Sequence, residues 1–162
     1  MKKKNNVEIH NIEPIYDKDS KILILGSFPS VKSREQGFYY ANPQNQFFTI
    51  MEIIFNEKIT DKKRFLLDKH IALWDVVHSC EIKGSADSSI KNVKTNDIKY
   101  LIDNSKINKI FTTGKKAYEL YNKYLKNTVN IEAIYLPSTS PLYKSMNLNE
   151  KIRKYSEILK FL

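Results

Sequence analysis

Four short loops rich in Ser, Thr or Gly are the parts of this sequence best suited to chemistry. They read GSFPS, HSCEIKGSAD, TTGKK and PSTSP, and each follows a short apolar run. Such loops offer hydroxyls and free backbone N–H groups, and those that lead into a helix N-terminus favour anions. If the apolar runs are parallel strands, the loops meet at the carboxyl edge of one sheet, where α/β proteins bind ligands. The sequence therefore predicts one polar cleft.

The stretch Lys21–Phe48 supplies a wall for that cleft. After GSFPS it continues for roughly fifteen residues without a helical or strand period, and loops of that length are usually functional or disordered. Its aromatic content argues against disorder. The aromatic residues are Phe38, Tyr39, Tyr40, Phe47 and Phe48. We expect an ordered aromatic loop at the edge of the sheet.

Strands and helices that alternate along the chain must position these loops. The predicted strands are Ile22–Leu25, Ile71–Val77, Lys109–Thr113 and Ile131–Leu136. The predicted helices are Gln46–Phe55, Asp61–Lys69, Asn96–Asn104, a segment opening at Gly114, and Asn149–Leu162. Ser79–Asn92 is expected to be a polar loop, and Val7–Tyr16 is ambiguous, with an edge segment around Pro14 as one interpretation. The alternation predicts a parallel sheet with helices on both faces.

Length and composition favour one soluble domain over residues 1–162, with residues 1–6 expected to fray. No apolar run is long enough for a membrane span or a signal peptide, so we expect a cytoplasmic protein, acting as a monomer. The single cysteine, Cys80, excludes an internal disulfide and a four-cysteine metal site. The histidines show no ligand spacing, so no metal is expected.

The formal net charge of +9 indicates a polyanionic partner. Only three of the basic residues are arginines, however, and the chain is rich in Lys, Asn and Ile. A generally solvated Lys-rich surface is therefore an equally good interpretation, and charge alone does not decide between them.

The motifs GSFPS, YYANPQNQFF and LPSTSP resemble those of the uracil-DNA glycosylase superfamily, and ALWDVVHSC, GSADSSI and IFTTGKKA extend the resemblance from about Lys21 to Leu162. The chain is most similar to the hypoxanthine (deoxyinosine) DNA glycosylase branch. This resemblance implies an α/β/α sandwich around a four-stranded parallel sheet. It also implies a monofunctional enzyme of base excision repair that flips a deaminated base out of DNA and hydrolyses its N-glycosidic bond. Hypoxanthine is the expected base, uracil is a secondary or absent one, and neither metal nor cofactor is needed.

The resemblance also assigns site residues, with one departure. Many members carry Asp or Asn before the Pro of the first motif, whereas Phe28 stands there in this chain and cannot exchange a proton. In the hypoxanthine branch the catalytic polar role passes to the Asn of P-x-N-x-F, here Asn45, while Tyr40 stacks on the flipped base. The implied base-binding residues are Gly26, Ser27, Phe28, Tyr40 and Ser138. The expected DNA-binding residues are Ser30, Lys115, Ser140, Leu142, Tyr143 and Lys144. The resemblance makes Leu142 the wedge that enters the duplex. Lys115 and Lys144 are phosphate contacts by their positions, and solvated surface lysines are an equally good interpretation.

Each assignment has an alternative. Asn45 could cap the helix that follows it, Tyr40 and Leu142 could be core residues, and the serines could be ordinary turn hydroxyls. Asp75 is expected to be structural, and Asp87 is a minor site candidate. Two other functions also stay open: a non-catalytic nucleic-acid binder, and a small enzyme acting on free nucleotides.

Overall fold

The computed structural model describes residues 7–162, so the expected frayed segment 1–6 lies outside the described residues. The strands of the described part, numbered β1 to β7 in chain order, are Val7–Ile9, Ile22–Gly26, Ile71–Asp75, Val77–Glu81, Lys91–Thr95, Lys109–Thr113 and Ala133–Leu136. The helices, α1 to α7, are Val31–Gln36, Phe47–Phe55, Lys62–Asp68, Ile98–Asp103, Lys115–Tyr124, Lys126–Val129 and Leu148–Tyr155. None of the helices in residues 7–162 could span a membrane.

A four-stranded parallel sheet with the order β3-β2-β6-β7 forms the centre of the molecule. This confirms the predicted α/β architecture. The register pairs Gly26 with Asp75 and Thr113 with Leu136, so these four residues end their strands at one edge. The predicted convergence of the loops follows from this register.

Two hydrophobic clusters lie on opposite faces of this sheet. Alternate residues of β2 contribute to each, with Ile22 and Ile24 on one face and Leu23 and Leu25 on the other. The first face is covered by α2, α3 and α7, and the second by α4, α5 and α6. Because β2 is buried on both sides, its sequence is continuously apolar rather than alternating.

A second sheet, antiparallel and three-stranded with the order β1-β4-β5, was not predicted. The predicted strand Ile71–Val77 is divided into β3 and β4: Val76 N–H still donates to Gly26 O of β2 at 2.8 Å, and from Val77 onward the chain pairs with β5. The expectation of a polar loop over Ser79–Asn92 was wrong in part, since β4 and β5 form a hairpin around a shorter loop. The loop of this hairpin contributes Ser85 and Asp87 to the lining of the cleft.

Helix α1 also corrects the sequence analysis, because it lies in the stretch that was expected to have no regular structure. Ser30 caps it by accepting from Ser33 N–H at 3.2 Å, and Gly37 ends it in the left-handed conformation with φ 69°. Only Ser33 is buried in this helix, so it has no apolar stripe to reveal it.

The remaining differences concern where helices end. The predicted Asn149–Leu162 helix is α7 followed by a 3-10 segment, Ser156–Phe161. Asn147 begins α7 by accepting from Glu150 N–H at 2.9 Å. Neither end of this segment contributes a side chain to the lining of the cleft described below.

Candidate active site

A cleft of about 530 Å³ opens at the carboxyl edge of the parallel sheet. That volume lies in the range of small-molecule binding sites. All but two of the residues assigned to the site line it, namely Gly26, Ser27, Phe28, Ser30, Tyr40, Asn45, Ser138, Ser140, Leu142 and Lys144. Lys115, exposed at the start of α5, and the half-buried Tyr143 lie outside the lining.

The floor of the cleft contains a buried carboxyl group, that of Asp75, which is 4% exposed. Its Oδ2 lies 2.8 Å from Nε2 of His10, which is also buried. Since the Ile12 N–H points at His10 Nδ1 at 3.3 Å, the ring proton lies on Nε2 and donates to Asp75. Asp75 Oδ1 has no hydrogen-bond partner within residues 7–162 and belongs to a side chain that lines the cleft.

Gly26 makes this floor possible. A Cβ atom at position 26 would clash with Asp75 Oδ1 and would lie 3.7 Å from Thr113 Oγ1. The absence of a side chain on Gly26 therefore leaves room for a buried acceptor oxygen beside the strand end.

Tyr40 forms one wall of the cleft. Its ring stacks on Phe47 with a centroid separation of 4.1 Å and an interplanar angle of 15°, and its hydroxyl lies 3.5 Å from Thr113 Oγ1. Burial raises the pKa of Tyr40, so the phenol stays neutral. Its backbone is left-handed with φ 52°, a conformation that costs a residue with a side chain about 1–3 kcal/mol. The chain thus holds this ring in place at the expense of backbone strain.

The side-chain amide oxygen of Asn45 is engaged in a hydrogen bond with the backbone. This oxygen, Oδ1, accepts from Phe47 N–H at 2.9 Å, at the beginning of α2. Gln46 rather than Asn45 is the N-cap of α2, but Asn45 accepts from the first helical N–H, so the capping role considered as an alternative is met in part. Because a backbone N–H can only donate, the amide oxygen must face the helix, and the NH2 group of this cleft-lining residue is left to act as a donor.

The loop that follows β7 closes the cleft beside Asn45. Ser138 Oγ accepts from Ser140 N–H at 3.1 Å, so this hydroxyl makes the turn contact that was considered as an alternative. Gln46 N–H donates to Thr139 O at 3.0 Å and connects the loop to the start of α2. Lys151, only 2% exposed, donates from Nζ to Gln46 Oε1 at 2.8 Å.

Lys151 also donates to the carbonyl oxygen of Tyr143 at 3.2 Å. One buried ammonium group thus joins the segment before α2 to the loop that carries Leu142. Leu142 itself is 79% exposed, so it is not a core residue.

The opposite wall comes from the hairpin loop between β4 and β5. Asp87 lines the cleft, and its Oδ1 accepts from Ser27 Oγ at 2.7 Å. Arg34 of α1 donates to Gly84 O at 2.6 Å, and Val31 N–H donates to Ser85 Oγ at 2.9 Å. These contacts hold the loop against the residues that follow β2.

Sequence reasoning missed the importance of Asp75 and Lys151. The only signal for Asp75 was a carboxylate at the end of an apolar run, and its partner His10 is 65 residues away. Lys151 was not singled out, because the groups that it joins are distant in sequence. Within residues 7–162, no group of three or more His, Cys, Asp or Glu side chains is placed to hold a metal ion.

The family model described as the uracil DNA glycosylase superfamily matches residues 13–162. The chain belongs to the uracil DNA glycosylase superfamily. This confirms the resemblance seen in the motifs, and it accounts for the cleft at the carboxyl edge of the sheet.

Two curated proteins are similar to the chain. A hypoxanthine DNA glycosylase from Methanosarcina acetivorans is 33% identical over 143 residues, covering 85% of this chain and 89% of the relative. A hypoxanthine DNA glycosylase from Methanosarcina barkeri is 30% identical over 112 residues, covering 65% of this chain and 71% of the relative. Among solved structures, the solution NMR structure of a candidate uracil DNA glycosylase from Methanosarcina acetivorans superposes with a TM-score of 0.79. The two sequences are 29% identical, and the superposition covers 96% of this chain and 98% of the chain in the solved structure.

Proposed function

We propose that this protein is a monofunctional DNA glycosylase that removes hypoxanthine from deoxyinosine in DNA, with uracil as a secondary or absent substrate. Superfamily membership over residues 13–162 and the similarity to two hypoxanthine DNA glycosylases support DNA glycosylase activity. The product would be an abasic site for base excision repair. We also propose that the chain acts as a single domain and a monomer.

The observation that favours a deaminated purine over adenine is Oδ1 of Asp75, which lines the floor of the cleft and has no hydrogen-bond partner within residues 7–162. Deamination of adenine converts N1 of the ring from an acceptor into an N–H donor. A buried carboxylate oxygen can accept from that N–H, whereas N1 of adenine would face it acceptor to acceptor. Sites built to hydrogen-bond one partner reject the mismatched analogue strongly, because a buried polar group is left unpaired. Uracil also carries an N–H in its ring, which is why it remains a possible second substrate.

Three groups would hold the base and stabilise its departure. Tyr40, fixed by its stack on Phe47, would stack on the flipped base and contribute about 1–3 kcal/mol. The leaving purine gains negative charge while the sugar approaches an oxocarbenium ion. The NH2 group of Asn45 is a donor that can meet that negative charge, and one such donor in a dry site is worth roughly 2.7–4 kcal/mol.

Extrusion of the base requires contacts outside the cleft. Leu142 is 79% exposed on the loop that closes the cleft, which suits an apolar wedge that enters the gap in the duplex. Lys144 lines the mouth and can contact a phosphate.

The test is an alkali-cleavage assay on end-labelled duplex and single-stranded oligonucleotides that contain one deoxyinosine or one deoxyuridine. We expect abasic sites at deoxyinosine and a rate that falls by about 100-fold or more in Asn45→Ala. Asn45→Asp retains the helix contact but replaces the donor by an anion, so it should be at least as impaired. Asn127→Ala, a change of an exposed residue of α6, is the matched control and should leave the rate unchanged.

Each other outcome points to a different conclusion. Cleavage only at deoxyuridine would retain the superfamily activity but refute the choice of hypoxanthine. Full activity in Asn45→Asp would show that Asn45 acts through its oxygen on water. Salt-sensitive DNA binding without cleavage would favour the non-catalytic binder. A borohydride-trapped covalent complex with DNA would refute the monofunctional assignment, because it requires an amine nucleophile.

A further inference from the structure

One chemical task has no residue in the mechanism above, namely activation of the attacking water. Asn45 uses its oxygen at the start of α2, and an amide is in any case a poor base. Asp75 is engaged by His10 and lies at the floor. Phe28 occupies the position before Pro29 and cannot accept a proton.

A second carboxyl group of the cleft fits this task. Asp87 begins a one-turn 3-10 helix, Asp87–Ser89, in the loop between β4 and β5. It is held by Ser27, the residue directly before Phe28, whose hydroxyl donates to Oδ1 at 2.7 Å. Its Oδ2 has no hydrogen-bond partner within the described part of the chain. The residue is exposed overall while its carboxyl group faces the cleft, which lets it exchange protons with solvent.

We propose that the Asp87 carboxylate is the general base of the glycosylase reaction, positioned by Ser27. The proposal rests on the function proposed above. The bond between C1′ of the sugar and N9 of the purine breaks, and its electron pair leaves with the base. The water oxygen bonds to C1′, and one water proton moves to Asp87. The purine anion takes a proton from solvent, and Asp87 returns its own proton to solvent, so the balance is a simple hydrolysis.

The surroundings of Asp87 define a pH dependence. Partial burial of the carboxyl group raises the pKa of Asp87, and the nearby Asp75 raises it further, while the Ser27 hydrogen bond and Lys116 of α5 lower it. Cys80 of β4 also lies near enough to be affected by the Asp87 charge. A general base must be deprotonated, so the rate should fall as the pH drops through this raised pKa.

Replacement of Asp87 by Asn is the direct test, measured as single-turnover cleavage of a deoxyinosine duplex across the pH range. The amide can still accept from Ser27 but cannot remove a proton. We expect a loss of about 10²–10⁴-fold near neutral pH and no acidic limb in the residual rate. Affinity for a duplex with an abasic-site analogue should be unchanged. Asp68→Asn, a surface change on α3, is the matched control.

Two further variants separate a catalytic role from a structural one. Ser27→Ala removes a hydrogen bond that favours the charged carboxyl, so the acidic limb should move to higher pH. Asp87→Ala should regain rate when formate or azide is added, because a small anion can occupy the vacated position.

The outcomes distinguish this inference from the function on which it rests. Wild-type protein that cleaves no deaminated base would refute both. Wild-type cleavage that depends on Asn45 but is the same in Asp87→Asn would refute only the role of Asp87. A slowed Asp87→Asn variant that keeps the wild-type acidic limb would also refute it, since the lost rate would then be structural.

Discussion

Replacing Asp75 by Asn changes one atom at the floor of the cleft and reverses its hydrogen-bonding sense. His10 Nε2–H donates to Oδ2 in the native protein, so the amide of the variant should place its oxygen there. The NH2 group then takes the position of Oδ1, where it opposes the N1–H of hypoxanthine. The variant keeps the volume and the contact with His10 but turns an acceptor into a donor.

The size of the effect follows from the lost interaction. A hydrogen bond to a charged group contributes about 1.5–3 kcal/mol. Because about 1.4 kcal/mol corresponds to a factor of ten in rate, the loss of that bond predicts a decrease of about 10- to 150-fold. The opposition of two N–H groups should place the measured value toward the upper end.

Single-turnover cleavage of two oligonucleotides measures this effect. One carries deoxyinosine, and the other carries deoxynebularine, a purine nucleoside with neither the N1–H nor the O6 of hypoxanthine. We expect Asp75→Asn to slow the first reaction by the stated factor and to speed the second, because N1 of nebularine is an acceptor that the new NH2 group can meet. Asp103→Asn, an exposed change on α4, provides the control, and thermal melting checks that the pair with His10 is retained.

Two results would refute this role for Asp75. Equal losses on both substrates would mean that the substitution disturbs the cleft rather than one hydrogen bond. An unchanged rate on deoxyinosine would mean that Oδ1 does not meet the base.

Two further predictions concern the loop that closes the cleft. Leu142→Ala should slow cleavage in duplex DNA by about 10- to 150-fold, because a buried leucine contributes about 1.5–3 kcal/mol, but should spare single-stranded substrate. The melting temperature of the Leu142→Ala variant should not change, since the Leu142 side chain is 79% exposed. Equal losses of rate on duplex and single-stranded DNA would contradict the role of Leu142 as a wedge. Lys151→Met should lower the free energy of unfolding in urea by about 1–3 kcal/mol, because Gln46 Oε1 and the Tyr143 carbonyl lose their donor. The same variant should also slow cleavage. If Lys151→Met has the stability and the cleavage rate of the wild-type protein, the contacts made by Lys151 are dispensable.

The central sheet was readable from sequence because its strands are buried on both faces and therefore continuously apolar. The hairpin of β4 and β5 was not, because no residue of β5 is fully buried and neither strand has a clear alternation. Helix α1 was not predicted either, because it buries only Ser33 and has no apolar stripe, although Ser30 and Gly37 mark its ends. A sequence pattern therefore detects the elements that build the core, and it misses short helices and strands that bury few apolar side chains.

The cleft was located correctly because the carboxyl ends of parallel strands must meet. What pattern could not supply were contacts between residues far apart in the chain. The buried pair of His10 and Asp75 spans 65 residues, and the link from Lys151 to Gln46 spans 105. The orientation of the Asn45 amide likewise depends on one backbone N–H, that of Phe47, whose direction is set only in the folded chain.

The close approach of Gly26 and Asp75 has a consequence for how such sequences diverge. Even alanine at position 26 would collide with the carboxyl oxygen at position 75, so position 26 cannot change while Asp75 is kept, whereas position 75 can change while Gly26 is kept. Mutational paths that alter base preference at position 75 are therefore expected to be ordered. A smaller residue must arise at 75 before any side chain is tolerated at 26, and the reverse order passes through a clashing intermediate. A substitution at position 26 is therefore harmful when Asp75 is present and tolerated when a smaller residue is at 75, which is sign epistasis caused by the space of a single methyl group.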